Sequence, residues 1–355
     1  MKIIITFIIG FLLCYTLLTF FYENEFVNEE IEELETASSP EETSDETDGN
    51  SQTDEDILNP TVHGIHEWIG KPGDDLVGEF GNPGRVDPTP YGYDWWIYNE
   101  TDVYLQFALS MEDNTVVSVF TNDELAELPY IRIGDSYNSI AEQFEFNDIV
   151  SLSGEFSSYQ FELREEELKM YPLAPLEDIW VQFYFDTVED TLSSIRFIDQ
   201  ETLLLQRPYS IVYRGVLPEI EPLTDEQWEH IQEGQARQIF DLTNDIRKRH
   251  GLPPLKWEET TAKVALLHSQ DMHYNNYFSH TSPTNGELKD RLQGEYLSFH
   301  SAAENIAANY VDGIAAVEGW LNSEGHRVNL LNDRFTHLGV GVYRNHYTQN
   351  FITPR

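Results

Sequence analysis

The sequence has 355 residues, 40% hydrophobic and 13% aromatic, enough for two ordinary domains that each bury a core. Sixty-three acidic residues against 21 basic ones give a formal net charge of −42, a field that repels phosphate backbones and argues against nucleic-acid partners. The charge is uneven: residues 223–355 hold 17 acidic and 12 basic side chains, so −37 of the total falls on residues 1–222.

Residues 3–22, IIITFIIGFLLCYTLLTFFY, form an uncharged run of the length a helix needs to cross a bilayer. Lys2 precedes it and acidic residues from Glu23 follow, which predicts a cytoplasmic N-terminus and a single-pass anchor with the bulk of the chain outside. A cleaved signal segment, which would leave the protein secreted, is the alternative. The run is longer than a usual signal core, and no A-x-A-like site closes it. The single cysteine, Cys14, lies inside this run, and its neighbours Leu12, Leu13 and Tyr15 lack the small residues that precede a lipidated cysteine. The exported part is therefore free of disulfides and depends on packing alone.

Residues 23–58 are Glu, Asp, Ser and Thr with few apolar residues, a composition that cannot offset chain entropy by burial; they read as a disordered acidic stalk. From 59 to 205 short helical stretches alternate with period-2 strands, and the pattern repeats. IGKPGDDLVGEFGNPGR is followed by YGYDWWIY, VYLQFAL and NTVVSVFT; IRIGDSYNSIAEQFEF is followed by YQFELR, IWVQFYFD and LSSIRFID. This predicts an internally duplicated α+β domain. The alternating aromatics Trp95, Trp96, Tyr98, Tyr104 and Phe107 are read as core. HEWIG, residues 66–70, opens like the zinc-protease motif H-E-x-x-H but has Gly70 where the second histidine is required.

A Pro-containing linker, 206–222, leads to a second domain, 223–355. Thr224 and Gln227 have capping-box spacing, and the helix they open stops at Gly251 before Pro253 and Pro254. A second helix carries Ala262, Ala265, Leu266, Ser269 and Met272 on one face, GIAAVEGWLN is a third, and HLGVGVYRN and YTQNFITPR are strands. Residues 304–332 otherwise read as an amphipathic helical hairpin, with Trp320 and Leu330 in its core. His268 and Asp271, one turn apart, are read as structural.

Five stretches in order, NDIRKRHGLPPLKW, HSQDMHYNNYFSHTSP, AENIA, WLNSEGHRVNLLN and FTHLGVGV, resemble the bacterial branch of the CAP superfamily (cysteine-rich secretory proteins, antigen 5, pathogenesis-related protein 1; SCP-like). The region before them is similar to the CAP-associated N-terminal domain of Gram-positive bacteria. The resemblance implies a three-layer α-β-α sandwich whose cleft gathers two histidines and two acidic residues. It assigns His280, Glu304 and His337 to that cleft and leaves Glu324 and His326 as alternatives for the fourth position. Residues two apart on one unbroken helix diverge, so both could reach the cleft only if Ser323 starts a new helix there.

Such ligands suit zinc or another divalent cation, with His280 and His337 as its holders; the plainer reading is a set of mutually hydrogen-bonded polar groups. No G-x-S-x-G, catalytic cysteine or phosphate loop is present. The expected protein is thus held to the cell membrane by its N-terminal helix and binds a small apolar or envelope-derived ligand, or a protein. A metal-assisted hydrolase of peptide or wall polymer and a purely structural envelope protein are the other classes.

Overall fold

A computed structural model describes residues 64–99, 104–124, 131–154 and 156–355. The apolar run 3–22 and the segment 23–58 lie outside the described residues, and among those described no helix is long and apolar enough to cross a membrane.

In the first region a 3-10 turn and α1 (Gly73–Phe80) precede β1 (Arg85–Pro88), β2 (Tyr93–Tyr98), β3 (Leu105–Ser110) and β4 (Val116–Thr121). Then follow α2 (Tyr137–Ala141), β5 (Ile149–Ser153), β6 (Ser158–Glu162), α3 (Glu165–Met170), β7 (Leu173–Leu176), β8 (Ile179–Asp186), β9 (Thr191–Ile198), α4 (Gln200–Gln206) and β10 (Ser210–Arg214). Seven strands form one sheet in the order β1-β2-β3-β4-β9-β8-β7, and β4 and β9 pair antiparallel at its centre.

β8 and β9 are buried along almost their whole length, as strands covered on both faces must be. β5 and β6 instead alternate exposed and buried residues, and with β10 they form a separate three-stranded sheet whose inner face packs on Leu203 and Leu204. YQFELR therefore lies in this second sheet, and β7 takes the place beside β8 that the sequence pattern gave it. β10 falls within the stretch read as a linker.

The second region begins with α5 (Asp225–Arg249), opened by the reciprocal Thr224–Gln227 capping box and followed by Gly251 at φ 68°. β11 (Lys256–Trp257), α6 (Glu259–Asn275), α7 (Leu288–Gly294), β12 (Phe299–Ala308), α8 (Gly313–Leu321), α9 (Glu324–Leu330), β13 (His337–Tyr343) and β14 (His346–Pro354) complete it. The four-stranded sheet runs β11-β13-β14-β12. Gly339 and Gly341 let α6 lie directly on it, since a Cβ at either would overlap the backbone of Ala262 or Leu266.

Residues 299–308 correct the helical reading of the 304–332 stretch. They are a strand paired with β14 from Phe299↔Pro354 to Ala308↔His346. Alanine favours helix in isolation, but this ladder pairs the segment with β14 along its whole length and overrides that preference.

One core passes through both regions. It joins Tyr93, Trp95, Phe120 and Tyr184 of the seven-stranded sheet to Ile239 and Leu242 of α5, Val317 of α8, and Leu338 and Phe351 of the four-stranded sheet. The α5/α8 layer thus lies between two sheets: Gln238 donates to Asp87 on β1 at 3.0 Å, while Thr243 accepts from Gln349 on β14 at 2.7 Å. The sequence pattern suggests a core for each region; the structure merges them across this layer.

Candidate functional site

The site is built on β12, at one edge of the four-stranded sheet. Glu304 points to the face covered by α6 and α7, and its side chain is 3% exposed. A carboxylate so buried needs compensating partners. Arg291 of α7 donates from Nη2 to Oε2, and His280 donates from Nδ1 to Oε1 at 3.0 Å. His268 of α6 lies close by, with Nε2 3.7 Å from the same Oε1 and 3.1 Å from the Ser279 carbonyl it bonds.

The loop carrying His280 is fixed from both sides. Arg291 Nη1 donates to the carbonyls of His280 (2.8 Å) and Gly286 (3.0 Å). Asp271, at the end of α6, accepts from the Ser282 hydroxyl at 2.6 Å, from Asn275 at 2.7 Å and from Tyr277. Against the opposing effect of partial burial, these bonds hold the Asp271 carboxyl below its ordinary range. His268 and Asp271 therefore do not pair; one faces Glu304 and the other ties down the loop.

This arrangement fixes tautomers. A carboxylate only accepts, so His280 carries its proton on Nδ1 and leaves Nε2 as an acceptor on a side chain that is 56% exposed. His268 is driven towards the neutral form by burial, against the pull of Glu304.

The chain breaks after α8, and Ser323 starts α9, so His326 is freed from the direction of the preceding helix. The Ser323 hydroxyl lies 2.7 Å from His326 Nδ1 rather than capping a helix N–H. Burial, and then repulsion from His280 whenever that ring is protonated, push the His326 pKa down. Asn305 and Asn329 hold α9 against β12: Asn305 donates to the His326 carbonyl at 3.1 Å, and Asn329 to Asn305 Oδ1 at 3.0 Å.

The structure thus joins His280 to Glu304 and places His326 near enough to His280 to feel its charge. Glu324 is exposed, and among the described residues no hydrogen bond or ion pair links it to this group. His337 opens β13, in register with Ile352 and so two strands from β12, on the order of 10 Å across the sheet; its Nδ1 lies 2.8 Å from the Thr336 hydroxyl. Two participants were missed. His268 sits within the buried stripe of α6, where a histidine reads as core, and Arg291 is a cation beside the core residue Leu292. An ionisable group at an apolar position was the available signal for both.

Matching family models cover most of the described chain: the CAP-associated N-terminal family over residues 69–209 and the cysteine-rich secretory protein family over residues 240–353. The uncharacterized membrane protein YlbC of Bacillus subtilis is 44% identical over 324 residues, 90% of this chain and 93% of that one. The chain belongs to the CAP family. The crystal structure of an extracellular SCP-domain protein of Bacillus anthracis superposes with a TM-score of 0.79 at 45% identity, covering 86% of this chain and 99% of that one. A cysteine-rich secretory protein of Staphylococcus aureus superposes at 0.71 with 26% identity, covering 81% and 91%. The α+β CAP fold inferred from the five sequence motifs is therefore correct, as is the identity of the region that precedes it.

Glu304 is already shared by Arg291 and His280, so it suits the role of orienting His280 rather than that of a direct ligand. Only the Nε2 atoms of His280 and His326 are left, fewer than the three or four protein ligands usual for zinc. Among the described residues the group of three potential ligand atoms in mutual reach is Asp186, Glu189 and His250, where Arg327 already binds Asp186 at 2.7 Å and Glu189 at 3.3 Å.

Proposed function

We propose that the protein is a membrane-anchored, extracytoplasmic binding protein that takes an envelope-derived ligand at the His280–His326 face of its CAP domain. The observation that carries this is Glu304: its buried charge is neutralised by Arg291 and spent on orienting one half-exposed imidazole. What faces outward is then a hydrogen-bond acceptor at His280 Nε2 beside a second, weakly basic imidazole. That pair suits the hydroxyl and amide donors of wall fragments. Placement at the membrane's outer face is supported by the run at 3–22, by the name of the B. subtilis relative and by the extracellular B. anthracis protein. Meanders β2–β4 and β7–β9 meeting at β4–β9 support the reading of 59–205 as a duplication.

Titration calorimetry of the full chain in lipid nanodiscs with a muropeptide is expected to give saturable binding, weakened at least about tenfold in His280→Ala. Equal affinity in the two proteins would remove this face from the function.

The Glu304–His280 pair also favours a second reading, a hydrolase in which the Nε2 atoms of His280 and His326 would hold a cation, which would supply Lewis-acid activation of a bound water. Zinc affinity would then fall as pH drops through about 6.5, and both His280→Ala and His326→Ala would abolish it. Zinc heat that survives in both variants, or turnover of wall polymer unchanged by them, counts against it.

A further inference from the structure

The opposite edge of the same sheet carries a feature that the CAP site does not use. β11 covers only the start of β13, pairing Lys256↔His337 and Trp257↔Leu338. The two ends of what remains are satisfied: the Leu338 carbonyl accepts from Glu258 N–H at 3.0 Å, and Arg344 N–H donates to Gln232 Oε1 at 2.8 Å. Backbone groups on a strand alternate in direction, so Val340 and Val342 turn N–H and C=O the same way as Leu338, away from β14. Among the described residues these four groups have no partner.

They lie at the floor of a groove of about 840 Å³. One wall is α5, with Trp228, Gln232 and Ala236; the other is α6, with Lys263, Leu266 and Tyr274. A strand laid here would continue the sheet between the two helices and send alternate side chains to each. The charges choose its composition. The groove's cations are already engaged: Arg344 with Asp225 at 2.9 Å, Lys263 with Glu295 at 2.6 Å, and Arg237 over the Trp257 ring at 3.9 Å. Glu229 and Glu233, one turn apart on the α5 wall, have no cation among the described residues.

We propose that this edge binds an extended peptide segment of a partner protein by strand addition to Val340–Val342. The segment carries Lys or Arg at alternate positions facing Glu229 and Glu233, and small or apolar residues facing Leu266.

The test uses the full chain in nanodiscs and a blocked heptapeptide alternating valine and lysine. Amide hydrogen exchange at Val340 and Val342 is expected to slow on binding, and Trp228 fluorescence to change. N-methylation of the peptide's edge-facing amides is expected to weaken binding at least about tenfold, because strand pairing requires those donors. Glu229→Lys with Glu233→Lys, both on the helix surface, is expected to cost the lysine peptide about tenfold and to favour its glutamate counterpart. Undiminished binding of the N-methylated peptide, or binding without protection at Val340 and Val342, overturns strand addition. Protection of the same amides by concentration-dependent self-association without peptide assigns the edge to a second copy and overturns the partner.

Discussion

Two carboxylates of the CAP domain are almost equally buried and each is held by a buried arginine, yet they do different things. Asp312, the N-cap of α8, pairs with Arg196 of β9 at 2.7 Å; the arginine is fully enclosed, with Gln206 and the faces of Trp95 and Tyr184 around it. Glu304 pairs with Arg291, but its other oxygen holds an imidazole that is more than half exposed. A buried ion pair alone marks only a place where two layers are joined. The exposed, orientable partner is what turns the second pair towards solvent chemistry.

The most severe way to break the joint is to remove one side of it. A fragment of residues 223–355 leaves Asp312, Glu318 and the α5 face without the seven-stranded sheet. It is expected to melt roughly 10 °C or more below the full chain, or without a cooperative transition, by circular dichroism. Matching midpoints would mean the shared core contributes little.

A gentler cut is Arg196→Met, which keeps volume but strands Asp312. Denaturant unfolding is expected to show a loss of roughly 3–5 kcal/mol, the usual consequence of orphaning one buried charge.

Glu318 sharpens the comparison through pH. It faces Ser194 at 2.5 Å and Ser193 at 3.2 Å on β9, with Arg249 of α5 and Asp186 of β8 nearby. Burial pushes its carboxyl up to about 7, against bonds from Ser194 and Ser193 and the charge of Arg249. A folded-state value above the unfolded one means that the protonated form is favoured in the native protein. Its stability contribution is complete below about 4.5 and is lost as pH rises through about 7. Glu318→Gln is therefore expected to stabilise the protein at pH 8 by on the order of 3 kcal/mol and to change little at pH 4. His268 and His326 act with the opposite sign. Their lowered pKa values give stability that is present above about 6.5 and lost on acidification, so the variant's profile is expected to fall on the acid side alone.

The smallest effect belongs at the open pair. His280→Ala removes an exposed ring while Arg291 still holds Glu304, so unfolding free energy is expected to change by about 1 kcal/mol or less, even though muropeptide binding is expected to weaken. A loss comparable to that of Arg196→Met would make His280 structural.

Much of this was set by local chemistry and could be read along the chain. Thr224 and Gln227 cap α5 because the needed donors and acceptors are three residues apart, and Gly251 ends it because a left-handed residue closes a helix. The motifs around His280 and Glu304 pointed to the candidate site for a similar reason: residue types and their order are read directly from sequence. Other features depend on partners distant in the chain. β12 is a strand because β14 lies beside it, Arg291 matters because Glu304 sits within its reach, and α5 is buried on two sides because a second sheet covers it. Periodicity reports which faces of an element are apolar, but not what will lie against them. Pairing across the sheet and the sharing of one helical layer between two sheets were therefore decided only when the chain was packed.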